Sequence, residues 1–384
     1  MHTHTTVQNP SFPESRVPTV ATIDLSALAH NLNEVRRYLT PGCEVLAVVK
    51  ADAYGHGAIP VSHFLAGLGV HRFGVATVEE GVALRKAGIE SSIVVMGALL
   101  PDQSRDAIAH RLTPIIHDDR IAQSFADALG SESGPYPVHL KIDTGMGRLG
   151  IMPEDVLDVL GSAPFQGKLL VEGLMTHLAD ADNADATYTT IQLEQFHSLV
   201  GQVKAAGTHV PLAHAANSAA ILFHPSSHFS MVRPGIMLYG YHTASPHGTT
   251  PDLRPVLSLR TRVVHVRTLA PGQSVSYSRS FTASRPTTVA VLPIGYGDGY
   301  NRLLSNRGAV LIKGRRAPVV GRICMDMTIV DVTHIPDVGT GEEAVLIGQQ
   351  GALRITAGHL ASWSQTIPYE VLCAIGRRVP RVYR

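Results

Sequence analysis

Residues 45–57 read VLAVVKADAYGHG: five apolar residues, a lysine, then a loop that contains two glycines. In an extended strand Leu46, Val48 and Lys50 share one face, while Val45, Ala47 and Val49 take the other. Lys50 is thereby expected to point inward at the strand's C-terminal end. Seven further short apolar runs follow: RFGVA (72–76), SIVVM (92–96), TPII (113–116), PVHLKI (137–142), LLVEGLM (169–175), VPLAH (210–214) and GIMLYG (235–240). The 191 residues from Val45 to Ile236 fall into seven intervals of about 27, close to the unit length of a (β/α)8 barrel. Residues 78–88 (VEEGVALRKAG) and 186–207 (ATYTTIQLEQFHSLVGQVKAAG) read as intervening helices, the second closing on Gly207 as C-cap. A doubly wound open sheet shows the same alternation, but eight repeats favour an α/β fold of the TIM-barrel type.

Outward from the barrel, VATIDL (20–25) reads as a strand and SALAHNLNEVRRYL (26–39) as a helix capped by Ser26, with Leu28, Leu32, Val35 and Leu39 at helical spacing. Residues 1–18 are expected to be a disordered leader, and 19–242 the barrel. HTASPHGTTPDLRP (242–255) has the composition of a linker. From 243 to 384, Pro and Gly punctuate strand-like runs such as LSLRTRVVHVRTL, TTVAVLPIGY, AVLIKG, MTIVDV and EAVLIG, which predicts a mostly β second domain.

Composition narrows the function. Lys plus Arg number 32 against 31 Asp plus Glu, so no overall field draws in nucleic acid or an anionic membrane. At 45% hydrophobic and 16% charged residues the chain can build a sizeable core. Three scattered cysteines suit a reducing compartment, and cytoplasm is the simplest expectation. A lysine at a barrel strand's C-terminal end stands where barrel enzymes place their chemistry, as a nucleophilic or Schiff-base amine requires. In PVHLKIDTGMGRLG, His139, Lys141 and Asp143 share a face that must look into the barrel, where an ammonium needs a partner.

VVKADAYGHG, followed in order by KIDTGMGRLG, MTHLA, NSAA, RPGIMLYG, VSYSR, CMD and IPYE, resembles the alanine racemases, pyridoxal-phosphate enzymes with a barrel and a β-rich second domain. The likeness runs from about Val20 to the end of the chain. It implies that Lys50 holds pyridoxal 5'-phosphate as an internal aldimine. Tyr54, Asn217, Ser218, Gly235, Ile236 and Tyr369 would then hold its phosphate, and Arg233 would meet the ring nitrogen with His177 bonded to it. A hydroxyl at Ser218 and close backbone approach at Gly235 suit an anion on physical grounds too. The resemblance further implies a carbamylated Lys141 paired with Arg148, with Arg148 steering the substrate carboxylate. Racemisation needs one acid/base group on each side of the α-carbon. Lys50 serves one side, and the resemblance gives the other to Tyr277, from a second subunit of a homodimer. Met325 would border the substrate, and Tyr296 and Asp326 the entrance. The activity implied is interconversion of L- and D-alanine through an external aldimine, supplying D-alanine for peptidoglycan. Ser278 and Asn301 depart from the commoner pattern, which has glycine and proline there, and put the entrance loop in question.

Three other protein classes share parts of this pattern. An amino-acid decarboxylase of the same architecture would carry a CESGD-like stretch, absent here. A metal hydrolase barrel would use His2, His4, Lys141, His177 and His214, but the first two lie in the leader rather than at a strand end. A cofactor-carrier barrel would lack the second domain.

Overall fold

The computed structural model describes residues 17–129, 134–242 and 250–384. Most of the expected leader, His2 and His4 included, and half of the expected linker lie outside the described residues. The chain forms two compact units, one spanning Asp24–Val256, the other joining Leu257–Arg384 to the described residues up to Ile23.

The strand VATI, β1 (Val20–Ile23), stands in the second of these units. Strands β2 (Glu44–Val48), β3 (Arg72–Val75), β4 (Ser92–Val95), β5 (Thr113–Ile116), β6 (Tyr136–Lys141), β7 (Leu169–Met175), β8 (Leu212–His214) and β9 (Met231–Val232) make the other unit's sheet, ordered β8-β7-β6-β5-β4-β3-β2-β9. Every pairing in it is parallel. The Ser230 amide donates to the Ala213 carbonyl at 3.2 Å across the seam between β8 and β9, so the sheet is a nearly closed eight-stranded barrel. Strands covered on both faces need apolar residues at successive positions. Phe73, Ile93, Val94, Val95 and Ile115 are accordingly all fully buried.

The structure corrects two local expectations in this unit. The eighth strand is Met231–Val232, and GIMLYG is a chain of turns in which Leu238 bonds to Gly235, Tyr239 to Ile236 and Tyr241 to Ile236. Residues 236–241 are all buried, so no polar alternation distinguishes strand from turn there. The Asn31 side chain fixes the turns, donating to the carbonyls of Leu238 at 2.9 Å and Arg254 at 2.8 Å. The first helix, Leu25–Tyr38, is capped by Asp24 rather than Ser26: the Asp24 carboxylate accepts from the Ala27 amide at 2.9 Å and from the Ser26 hydroxyl.

The other unit is mostly β. Its largest sheet runs Arg315–Pro318, Ala309–Ile312, Glu343–Gln350, Leu257–Arg262, β1 and Arg381–Tyr383, with Leu353–Ile355 paired to Glu343–Gln350. β1, expected within 19–242, lies antiparallel to Leu257–Arg262 and parallel to Arg381–Tyr383. Its two edges find long-range partners, which a local hydrophobic pattern does not encode. A three-stranded sheet of His265–Leu269, Thr287–Leu292 and Thr328–Asp331 covers a cluster that includes Leu269, Val275, Ala283 and Val289. No helix among the described residues is long and apolar enough to cross a membrane.

Candidate active site

At the end of β2 the strand pleat stops at Val48, so the direction of Lys50 is set by a turn and not by strand alternation. Ala51, Asp52, Ala53 and Tyr54 all have φ between +52 and +55°, a left-handed turn without glycine. Each such residue costs about 1–2 kcal/mol relative to the right-handed form. Neighbouring groups hold it in place. His56 Nδ1 faces the carbonyls of Ala53 at 2.9 Å and Tyr54 at 3.0 Å, and therefore donates. The Glu80 carboxylate accepts from the amides of Ala51 and Ala76, both at 2.7 Å, and Asp52 accepts from the Ala58 amide at 2.7 Å. Tyr239, from the turns after β9, donates its hydroxyl to the Val48 carbonyl at 2.9 Å and stacks on His56 with centroids 4.5 Å apart. Lys50 itself is exposed.

The turn brings Tyr54 to the loops after β8 and β9. A Cβ built on Gly235 would lie 2.4 Å from the Tyr54 hydroxyl oxygen, so only glycine leaves room for the phenol. Ser218 Oγ accepts from the amides of Gly235 at 2.9 Å and Met237 at 3.3 Å, which leaves its own proton to donate. Asn217 caps the helix Ser218–Phe223 by accepting from the Ala220 amide at 3.0 Å. Ile236 is buried directly after Gly235. Tyr54, Asn217, Ser218, Gly235 and Ile236 thus occupy one neighbourhood, rich in donors that suit a phosphate.

On the barrel's interior face, the Lys141 amine is 4% exposed and donates to the Ile142 carbonyl at 2.7 Å. Asp143 accepts instead from the amides of Gly145 at 2.9 Å and Gly147 at 3.1 Å, folding DTGMGRLG back on itself. Burial lowers Lys141 from 10.5 to about 8, with Arg233 and Arg148 acting the same way and Asp143 opposing them. Arg233, 4% exposed, donates through Nη2 to the carbonyls of Thr176 and Ala215, both at 2.8 Å, and approaches His177 Nδ1 at 3.3 Å. Its Nη1 lies 2.8 Å from His214 Nδ1. Burial brings the guanidinium down to about 9, so it stays a cation at neutral pH. His177 is pushed down to about 3, by burial and then by the charges of Arg233, Arg148, Lys141 and Lys50. Four cations, from the ends of three strands, β2, β6 and β9, therefore act on one neutral imidazole.

The remaining expected site residues belong to the other unit. Tyr277, 67% exposed, opens a short turn in which Ser276, Ser278 and Arg279 have φ of +64, +58 and +50°. The serine at 278 thus occupies a left-handed position that glycine would fill without strain. The Ser276 hydroxyl donates to the Arg322 carbonyl, which ties this turn to CMD (324–326). The Tyr296 amide donates to Cys324 O at 3.0 Å and the Gly297 amide to Met325 O at 2.9 Å. Asp326 and Asp298 both pair with Arg378, at 2.7 and 3.3 Å. Tyr277, Tyr296, Met325 and Asp326 are in this way linked through one set of loops. Tyr369 lies half-buried in the helix Pro368–Cys373, whose following residue, Ala374, packs its carbonyl against Gly299.

Glu80, His56 and Tyr239, none of them among the expected site residues, all shape the turn at Lys50. His56 stood in the quoted motif and Tyr239 in RPGIMLYG, but the Glu80 contact spans 29 residues and has no local signature. His177 and His214, considered as metal ligands, both contact the Arg233 cation. No group of three His, Cys, Asp or Glu side chains fit to hold a metal ion occurs among the described residues.

Comparison with known proteins agrees with this architecture. Residues 23–243 match the family model "Alanine racemase, N-terminal domain", and 256–383 match "Alanine racemase, C-terminal domain". An alanine racemase of Halothermothrix orenii is 42% identical over 367 residues, covering 96% of this chain and 97% of its own. Among solved structures, an alanine racemase of Clostridium difficile 630 superposes with a TM-score of 0.90 at 35% identity, with 97% of each chain covered. An alanine racemase from Bartonella henselae, described as having covalently bound pyridoxal phosphate, superposes with a TM-score of 0.85 at 30% identity, covering 96% of this chain and 100% of its own. The chain belongs to the alanine racemase family, enzymes that are pyridoxal-phosphate-dependent isomerases.

Proposed function

We propose that this chain interconverts L- and D-alanine with pyridoxal 5'-phosphate held covalently at Lys50, and that Lys50 and Tyr277 are its two acid/base groups. The observation that carries the reading is the gathering of Lys50, Lys141, Arg148 and Arg233 around His177, beside a cradle made of Tyr54, Ser218 and Gly235. When bound, the cofactor supplies a conjugated ring that draws electron density from the substrate's α-carbon. Arg233 has only donors and would meet the ring nitrogen, keeping that nitrogen an acceptor and restraining side reactions such as transamination. His177 braces the guanidinium. Tyr54, Asn217, Ser218, Gly235 and Ile236 would hold the phosphate, and the family resemblance assigns Tyr369 to it as well.

The substrate carboxylate meets Arg148, whose planar fork suits two-point binding. A Lys141 near 8 has a sizeable neutral amine fraction at physiological pH, able to take up carbon dioxide. The carbamate so formed exchanges a buried cation for an anion that pairs with Arg148. Lys50 removes the α-proton of D-alanine on one side while Tyr277 of a second copy delivers a proton on the other, and the two exchange roles for L-alanine. The exposure of Tyr277 supports its pairing with another chain, which would make a homodimer part of the mechanism. Met325 borders the substrate, with Tyr296 and Asp326 at the entrance. In the cell this activity would supply D-alanine for peptidoglycan from the cytoplasm.

Borohydride treatment of the loaded enzyme, followed by peptide mapping, should place the reduced cofactor on Lys50. Lys50→Ala should lose the cofactor's long-wavelength absorbance and nearly all turnover in chiral product analysis; brisk racemisation by this variant would remove the assignment. Tyr277→Phe should slow proton transfer unequally in the two directions, typically by ~10² to 10⁴ for loss of a general base.

A further inference from the structure

A line of buried polar groups runs from Arg233 through the barrel to the opposite strand ends. Arg233 Nη1 lies 2.8 Å from His214 Nδ1, and a guanidinium can only donate, so this nitrogen accepts. Burial and the charge of Arg233 keep His214 neutral, so its proton sits on Nε2. That nitrogen is 2.9 Å from His139 Nδ1, which must accept in turn. His139, also neutral through burial, therefore carries its own proton on Nε2. Both imidazoles are fully buried, and His139 Nε2 has no hydrogen bond. It faces Glu172 Oε2 at 3.8 Å, too long for a hydrogen bond but close enough for a full negative charge to orient the N–H. The other Glu172 oxygen is held by Arg72 Nη1 at 2.8 Å, and Arg72 Nε by Glu44 at 3.0 Å. The His139 imidazole and the Arg72 guanidinium hold the Glu172 carboxyl down at about 2, against the effect of burial.

We propose that Glu172 is a positioning residue for the reaction: acting through His139 and His214, it fixes the one pair of tautomers that lets Arg233 seat against the ring nitrogen. The opposite pair would set an N–H of His214 against an N–H of Arg233. Nothing in residues 45–57 or in the loops around the cofactor carries this task; the carboxylate sits in the middle of β7, and the far end of the line opens on a cavity of about 650 Å³ lined by Arg36, Arg72, Arg111 and Glu172 among others. The inference rests on the reading of Arg233 given above.

The test is ring-¹⁵N spectroscopy of the histidines in the full-length chain, with and without cofactor, for the wild type, Glu172→Gln and Glu172→Asp. In the wild type His139 and His214 should each be protonated on Nε2 alone. In Glu172→Gln, Arg72 takes the amide oxygen and turns the amide N–H₂ toward His139, donor against donor. Both imidazoles should then show a second, Nδ1-protonated population, the cofactor absorbance should shift, and kcat should fall by about tenfold, the loss usual for outer-shell partners, with KM for alanine changed by less than about twofold. Glu172→Asp keeps the charge and should restore single tautomers. Single Nε2 tautomers in Glu172→Gln, or an Nδ1 proton on wild-type His214, would overturn the proposal. The wild-type spectrum decides alone if Glu172→Gln does not fold, and it reads tautomers without turnover, so a failure to racemise alanine would count against the function and not against this line of groups.

Discussion

Lys141 carries a positive charge in a place that resists one. In the folded chain its ammonium titrates at about 8, against an ordinary value of 10.5, because burial and two arginines oppose the charge. Below the lower value both folded and unfolded chains are protonated, and the folded state bears the whole cost. Between the two values the unfolded chain binds more protons, so the contribution of this residue makes stability rise with pH. Thermal melts in buffer freed of carbon dioxide should show wild type gaining on Lys141→Met as pH rises from about 7.5 to 10. A constant difference between the two proteins would mean that Lys141 has no such shift. In bicarbonate the gap should narrow already near neutral pH, because the carbamate removes the cation.

Among the elements, the left-handed turn at residues 51–54 inverts the usual propensity rules. Alanine is the best residue in a right-handed helix and glycine a poor one, by about 1 kcal/mol. Where φ is positive, glycine escapes the clash that alanine suffers. Ala51 has φ +52° and Ala83 is an exposed interior residue of the helix Val78–Lys86. Denaturant midpoints should therefore fall by about 1 kcal/mol equivalent for Ala83→Gly and hold or rise for Ala51→Gly. A loss at Ala51 equal to that at Ala83 would show that the turn is not left-handed in solution. The strain sits beside the amine assigned to the cofactor and is sustained by His56, Glu80 and Tyr239, as is common where a fold pre-organises a reacting group. The turn at Tyr277 repeats the pattern with Ser276, Ser278 and Arg279.

At the scale of the whole molecule, the proposed sharing of active sites between two copies makes a prediction that no single chain can satisfy. If each site takes Lys50 from one copy and Tyr277 from the other, a mixed dimer of Lys50→Ala and Tyr277→Phe has one intact site and one lacking both groups. Refolding or co-expressing equal amounts should restore about a quarter of wild-type activity, since half of the dimers are mixed and half of their sites are whole. No recovery would mean that both bases come from one chain.

The barrel was legible in the sequence because a repeat of short apolar runs is a local property: seven of the eight expected runs coincide with strands, from Glu44–Val48 to Leu212–His214. The alternation in HLK likewise places His139 and Lys141 together in the interior, both buried. GIMLYG misled because a fully buried run has no polar side to reveal its period, and β1 because strand pairing is decided by partners more than 200 residues away, as Val20 with Arg260. So the order of elements and the chemical identity of the candidate groups belong to the sequence itself. Which imidazole meets which carboxylate, which turn is left-handed, and that a lysine amine is buried under the field of two arginines came only from the tertiary structure, since burial, field and donor–acceptor matching are sums over residues the chain keeps far apart until it folds.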